Sequence, residues 1–380
     1  MPEAKRRLSL MDHFSALKDP RQQWRVIYPL PEVLLLVLCA VLSGMEGFDE
    51  IRLWGEHRLE FLRRFYPYAN GIPSHDTLND VMNALDGELF EDCFAGWVGE
   101  LIDGGEEIIA IDGKTSRRTH ARSKGVSPLH MVSAWASRQR LVLGQEAVFE
   151  KSNEITAIPL LLEKLELKGS LVTIDAMGTQ TRIAEAIVEG GGDYLLALKE
   201  NHPLLYKEVE TFFADPKAEI SNRFETTDAD HGRLELRRHA VCHDVAWLFS
   251  DRRYSGEPRF PYLAMIGMVD AETLRDGKLQ SERRYYLCSQ RLDAETFARA
   301  VRAHWGIENR LHWVLDVVFH DDLSRLRTGS GPKNMAVIKH MAINLLRQPG
   351  DKLSLKNRRK RACLDPDYLE RLIRPQTPLT

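Results

Sequence analysis

The sequence predicts a mixed α/β domain with a helical domain in front of it and a β-rich insertion inside it. Three observations carry that expectation. Between residues 105 and 347, short continuously apolar runs alternate with amphipathic stretches, as strands buried on both faces alternate with the helices that cover them. The first ~95 residues show helical periodicity only. Strand-like runs separated by turn residues then crowd the region from about 215 to 290.

In the N-terminal part, Pro29 precedes an apolar helix over 30–42, and Ile51, Trp54, Leu59, Leu62 and Phe65 mark an amphipathic stretch that Tyr66-Pro67 stops. Ser74 is placed to cap a helix over 75–85, which turns Leu78, Val81, Met82 and Leu85 inward. Two short helices around the Gly71-Ile72-Pro73 turn fit either a groove-reading DNA module or a packing bundle. Past Gly104-Gly105 come strands at 108–111, 130–137 and 141–149, a helix at 155–167, a strand at 171–174, a helix at 181–188 and a strand at 194–198. Parallel neighbours need crossovers, so this order predicts a mixed sheet. Further strands are expected at 234–242, 262–269 and 284–289, then helices at 293–304, 306–319 and 332–346. Residues 348–380 read as a basic C-terminal tail.

Composition narrows the functional classes. The longest apolar run, Val33 to Leu42, is about half of a bilayer span, and the opening residues lack the apolar stretch of a secretory signal, so a cytoplasmic protein without membrane partners is expected. The five cysteines are scattered with no C-x-x-C pair, which excludes a zinc framework or disulfide scaffold. The net charge of -3 is not that of a uniformly basic nucleic-acid binder, but from Leu323 to Arg361 basic residues face a single acid, Asp351.

The chemistry concentrates at two matched strand ends. Ile108-Ile109-Ala110-Ile111 leads into Asp112-Gly113, and Leu171-Val172-Thr173-Ile174 leads into Asp175-Ala176. Ligands of open α/β sheets collect beyond the carboxyl ends of strands, and two carboxylates brought together there repel unless a cation lies between them. Each aspartate alone would pass for a turn cap; the pair points to a metal. Glu308 is the candidate third acid, because at α-helical spacing it shares an apolar stripe with Trp305, Leu311, Leu315 and Val318. Arg310, another cation or a metal is needed to compensate it there, and Asp316, Asp321 and Asp322 are rivals for its place. Oxygen ligands alone suit magnesium or manganese, and a pair of such ions serves in-line attack on a phosphodiester. Trp135, Trp305 and Trp313 read as core, and His130, His304, His312 and His340 as packed or solvated. At this level the sequence reaches a metal-dependent nuclease or phosphotransferase.

The segments Ala110-Ile111-Asp112-Gly113-Lys114-Thr115, Thr173-Ile174-Asp175-Ala176-Met177-Gly178-Thr179-Gln180, Tyr194 to His202, His231-Gly232-Arg233-Leu234-Glu235 and His304-Trp305-Gly306-Ile307-Glu308-Asn309 resemble the DDE transposases of bacterial insertion sequences. The likeness is greatest to the group that includes the H-repeat-associated proteins of Rhs elements. Phe14 to Arg21 and Ser74 to Leu78 resemble the same group, so the resemblance spans nearly the whole chain in order. It implies a ribonuclease-H-like mixed sheet flanked by helices, with Asp112, Asp175 and Glu308 as a catalytic triad binding Mg2+ or Mn2+, two ions in all. It also implies cleavage at element ends and 3′-hydroxyl attack on target DNA. The implied partners are double-stranded DNA (terminal inverted repeats and target) and a second copy of the chain in a synaptic complex. Lys199, Asn201, His231 and Arg233 are implied DNA contacts; Arg358, Arg359, Lys360 and Arg361 are further candidates on charge. Several relatives carry a Tyr and an Arg before the Glu and a Lys after it; here Val301, His304 and Leu315 stand there, and those contacts do not carry over. The competing readings are an inactive or domesticated DNA-binding element protein, and a ribonuclease-H-like nuclease without strand transfer.

Overall fold

The computed structural model describes residues 10–102, 105–120, 127–148, 154–230, 233–249 and 259–374. The N-terminal part is helical as expected: α1 (Leu10–His13), α2 (Leu30–Leu42), α3 (Phe48–His57), α4 (Leu59–Leu62), α5 (His75–Ala84) and α6 (Gly87–Leu101). Twelve of the thirteen residues of α2 are buried, which is what a helix without a polar face requires. Ser74 caps α5 through its hydroxyl to Thr77 N, as its position in the sequence predicts.

The α/β part opens with three antiparallel strands, β1 (Glu107–Ser116), β2 (Leu129–Ala136) and β3 (Leu141–Val148). Then follow α7 (Glu154–Glu163), β4 (Ser170–Ile174), α8 (Thr181–Glu189), β5 (Asp193–Leu198) and α9 (Pro203–Ala214). Crossovers through α7 and α8 make β1, β4 and β5 parallel neighbours. The β-rich insertion consists of β6 (Asn222–Asp230), β7 (Arg233–Cys242), β8 (Met265–Arg275) and β9 (Lys278–Cys288). It is not a separate layer: β9 pairs with β5, and the order β3-β2-β1-β4-β5-β9-β8-β7-β6 makes one nine-stranded mixed sheet flanked by helices. β6 lacks the apolar alternation that would have announced it, because its residues are polar and mostly exposed. The strand expected at 262–269 starts three residues later, after Tyr262 takes a positive φ of 58°.

The C-terminal helices are α10 (Ala294–His304), a π-helical turn at Glu308–His312, α11 (Trp313–Val317), α12 (Gly331–Arg347), α13 (Leu355–Leu364) and α14 (Pro366–Ile373). α12 joins the two parts of the chain. Its Asn334 donates to Met82 O and Leu85 O at the end of α5, and its Asn344 donates to and accepts from the backbone of Val142 on edge strand β3. Both side chains are fully buried, and each satisfies backbone groups that a helix end or sheet edge leaves open. One apolar core therefore runs from Leu10 to Leu372.

The C-terminal segment corrects two expectations. It is not simply a tail: α13 and α14 seal that core with Ala362, Tyr368, Leu369 and Leu372. Arg358 and Arg359, expected on the DNA, are buried. Arg358 donates to Leu346 O, Pro349 O and Asp351, while Arg359 donates to Val41 O and Val318 O and lies over the Phe319 ring. A guanidinium that is buried and engaged with backbone carbonyls is not presented to a phosphate at the surface. Lys360 and Arg361 are exposed.

Candidate active site

Asp112 lies in β1 just beyond Ile111, whose register partner in β4 is Ile174, the residue before Asp175. Parallel register and strand alternation thus put both carboxylates side by side on one face, where the β1–β4 pairing stops while β1 itself runs on to Ser116 beside β2. That face is the one α10 covers, because Thr173, two residues before Asp175, meets His304 at the end of α10 (Oγ1 to Nδ1, 3.0 Å).

The chain after Asp175 is tightly held. Its Oδ1 accepts from Met177 N (3.0 Å) and Gly178 N (3.3 Å), a turn that a short acidic side chain builds well. A Cβ at Gly178 would collide with Ile174, so the turn requires glycine. Thr179 donates to Ala197 O (2.6 Å), and Asn201 donates to Ala176 O (2.7 Å). Asn201, expected to touch DNA, therefore spends its amide on positioning the loop of the second aspartate. Lys199 and Arg233 are exposed, and Arg233 is paired with Glu235 (2.7 Å). His231 falls outside the described residues.

Glu308 stands at the first position of the π-helical turn. The expectation of an unbroken helix over 306–319 with Glu308 on its apolar stripe needs correcting: Ile307 and Leu311 are buried, and Glu308 is exposed. A π-turn carries an extra residue per turn, which rotates the glutamate off the stripe, and such turns recur at functional sites. The rival acids are engaged elsewhere. Lys114 Nζ stands 2.7 Å from Asp316 Oδ1, 3.6 Å from Asp322 and 3.8 Å from Asp321, and Lys339 holds Asp321 at 2.6 Å.

Electrostatics single out Asp112. Burial pushes its carboxyl up to about 7, against the Gly113 N–H that favours the anion, and the charges of Asp175, Glu154 and Glu308 push the same way. Among the described residues no lysine or arginine pairs with any of these three acids. Nor, among the described residues, do three His, Cys, Asp or Glu side chains stand close enough together to hold a metal ion. The acids share a neighbourhood whose charges are felt at Asp112. The donor set is hard oxygen, and the excess of negative charge fits a divalent cation.

Glu154 escaped the reading from sequence, and so did its link to His130, which was read only as packed or solvated. Glu154, at the start of α7, accepts from His130 Nε2 (2.8 Å), and His130 Nδ1 meets Thr115 Oγ1 (2.7 Å). This chain backs directly onto Gly113, where a Cβ would collide with Glu154 and His130. Only the register pair Thr115–His130 hints at it, and register is not legible in a sequence. Of the tryptophans, Trp135 is fully buried as expected, Trp305 is half-buried beneath Arg284, and Trp313, expected in the core, is 55% exposed because it follows the π-turn.

Comparison with known proteins accords with this geometry. Residues 103–345 match the family model described as "Transposase DDE domain", and residues 11–98 match one described as "DDE_Tnp_1-associated". The chain belongs to the DDE transposase family. Among its relatives, the Escherichia coli K12 protein named "H repeat-associated putative transposase YhhI" is 39% identical over 370 residues, covering 95% of this chain and 96% of that one. The protein named "Putative transposase YncI" of E. coli O157:H7 is 41% identical over 378 residues, covering 96% and 94%. A shorter relative, named "Inactive transposase YbfQ", matches 20% of this transposase. No described helix of the transposase is long and apolar enough to cross a membrane.

Proposed function

We propose that this transposase cuts one strand at each end of a mobile element and joins the freed 3′-hydroxyl to target DNA. In this reading Asp112, Asp175 and Glu308 are the catalytic acids of a ribonuclease-H-like sheet, and they would hold two Mg2+ or Mn2+ ions. The observation that carries it is the parallel register that sets Asp112 beside Asp175, with Glu154 and Glu308 near enough for their charges to help burial push the Asp112 carboxyl up to about 7. Such a cluster is stable at neutral pH with a proton or a cation, and only the cation leaves its oxygens free to act as ligands.

When bound, the divalent ions lower the pKa of the attacking water or hydroxyl and stabilise the leaving oxygen. The chain's own residues position the phosphodiester's surroundings. The Asx turn at Asp175, tied down by Asn201, fixes one carboxylate relative to β4. The Thr173–His304 contact fixes the end of α10, from which the π-turn projects Glu308 into solvent, where DNA arrives. Two like element ends call for two like subunits, so a homodimer would pair the terminal inverted repeats in the synaptic complex. Association with the nucleoid follows from that partner.

The test uses full-length protein and a supercoiled plasmid carrying the element ends. Nicking at the ends only with Mg2+ or Mn2+, joined products with a target plasmid, and loss of both in Asp112→Asn are the expected results. Cleavage that persists in EDTA overturns the metal mechanism. Random cutting without joined products leaves a nuclease lacking strand transfer, and binding without cutting leaves an inactive element protein.

A further inference from the structure

A groove of about 1580 Å3 runs between one face of the β6–β9 sheet and α10, and ends at Trp305, Gly306, Asn309 and Arg310, the residues that bracket Glu308. Its sheet wall is built from alternate residues of each strand, such as Thr226, Arg237, Thr273 and Arg284, so strand alternation has sorted one set of side chains onto this face. Seven arginines line it against three carboxylates, Asp228, Glu235 and Glu282. Those carboxylates do not cancel the arginines; they hold them in place. Asp228 contacts both Arg237 (3.3 Å) and Arg302 (3.2 Å), and Glu282 orients Arg284, whose guanidinium lies over Trp305.

The end of the groove nearest Glu308 carries an independent signal. Arg347 lies over Trp135, a wall of the groove, and donates to Arg310 O. Burial, then Arg310 and Arg140, push its guanidinium down to about 10. Among the described residues no carboxylate pairs with Arg140, Arg310 or Arg347. Arg347 is half-buried beside the exposed Arg140 and Arg310; cations crowded together in this way repel one another without an anion, and a phosphate is the anion that arginine's planar fork matches best.

We propose that this groove holds the sugar–phosphate backbone of duplex DNA beside the cleavage point, with Arg310, Arg347 and Arg140 taking a phosphate next to Glu308. The lining stretch of β8 from Val269 to Arg275 spans roughly 20 Å at ~3.4 Å per residue, the axial rise of about six base pairs. The proposal rests on the transposase reading above, and its test separates the two.

Full-length protein is titrated onto a labelled 30-base-pair duplex across ~50–200 mM KCl, a range over which phosphate contacts register in the salt slope. The variants are Arg299→Ala with Arg302→Ala, Arg310→Ala, and the control Arg238→Ala with Arg283→Ala. The control pair lies on the opposite face of the same strands, half-exposed and paired with Glu272 and Asp270. The double groove variant should bind at least about tenfold more weakly, with a slope reduced by about two, and Arg310→Ala should reduce it by about one. The control should stay within about twofold of wild type, and Arg302→Lys should keep the wild-type slope. Equal losses on both faces, or an unchanged slope in the groove variants, overturn the proposal. Metal-dependent plasmid nicking is measured on the same samples. Wild type that nicks while the groove variants keep their slope overturns the groove alone; wild type that neither binds nor nicks DNA overturns the transposase reading with it.

Discussion

The Asp112 carboxylate and the His312 imidazole face each other, Oδ2 to Nδ1, at 3.6 Å, and at neutral pH they are not an ion pair. Burial, followed by the nearby charges of Lys114, His130 and His304, holds His312 down at about 4. The imidazole is therefore neutral where the carboxylate ionises, and it offers Asp112 no compensating charge. What the carboxylate meets instead is the repulsion of Asp175, Glu154 and Glu308.

A pH dependence of stability follows. The folded Asp112 carboxyl titrates near 7, above the unfolded value of 3.8, so its contribution is fully present below pH ~3.8 and is lost as pH rises through about 7. In EDTA, Asp112→Asn should match wild type near pH 4 and exceed it at pH 8, by at most about 4 kcal/mol. Urea unfolding at the two pH values reads the gap; a gap that does not widen with pH contradicts it.

Metal binding should release protons. Near pH 7 about half the Asp112 carboxyls are protonated, and a cation needs the anion, so calorimetry of Mn2+ binding in buffers of different ionisation heat should show release of about half a proton. The same Mn2+ should raise the melting temperature of wild type and leave Asp112→Asn unmoved. Equal stabilisation of the two proteins would place the ion elsewhere.

Gly113→Ala should damage the site from behind. Its methyl would meet Glu154 Oε1 and His130 Nε2, both held by hydrogen bonds, and neither is the free end of a flexible chain. Overpacking of this kind costs about 1–3 kcal/mol, and nicking should fall by more than the loss of folded protein explains. Thermal melts beside single-turnover nicking make the comparison.

The basic C-terminal segment should divide by burial. Arg359→Ala removes donors to Val41 O and Val318 O in the core and should lower stability by about 2–4 kcal/mol with little change in the salt slope of DNA binding. Lys360→Ala with Arg361→Ala, both exposed, should leave stability within about 0.5 kcal/mol. Deleting residues 351–380 removes α13 and α14 and should destabilise the chain, a result that chemical denaturation distinguishes from loss of a passive tail.

What is local could be read from the order of residues alone. Continuous apolar runs ending in Asp112 and Asp175 predicted buried strands, and β1 and β4 are those strands; Asp175 follows the last residue of β4 as expected, whereas β1 runs on through Asp112 to Ser116 along β2. The Ser74 cap and the all-round apolar α2 were equally readable, because capping and periodicity act within one or two turns of chain. Charge alone misled at Arg358 and Arg359, since a basic run looks the same whether its guanidinium groups meet water or carbonyls. Helical spacing misled at Glu308, because a π-turn leaves no mark in a pattern read at 3.6 residues per turn.

The remainder came with the assembled fold: the register that sets Ile111 beside Ile174, the joining of β9 to β5, the pairing of Asp316, Asp321 and Asp322 with lysines, and the His130–Glu154 contact behind Gly113. Each depends on groups tens to hundreds of residues apart being brought to within a few ångströms. Burial and charge there are properties of the assembled surroundings, not of the residue that carries them.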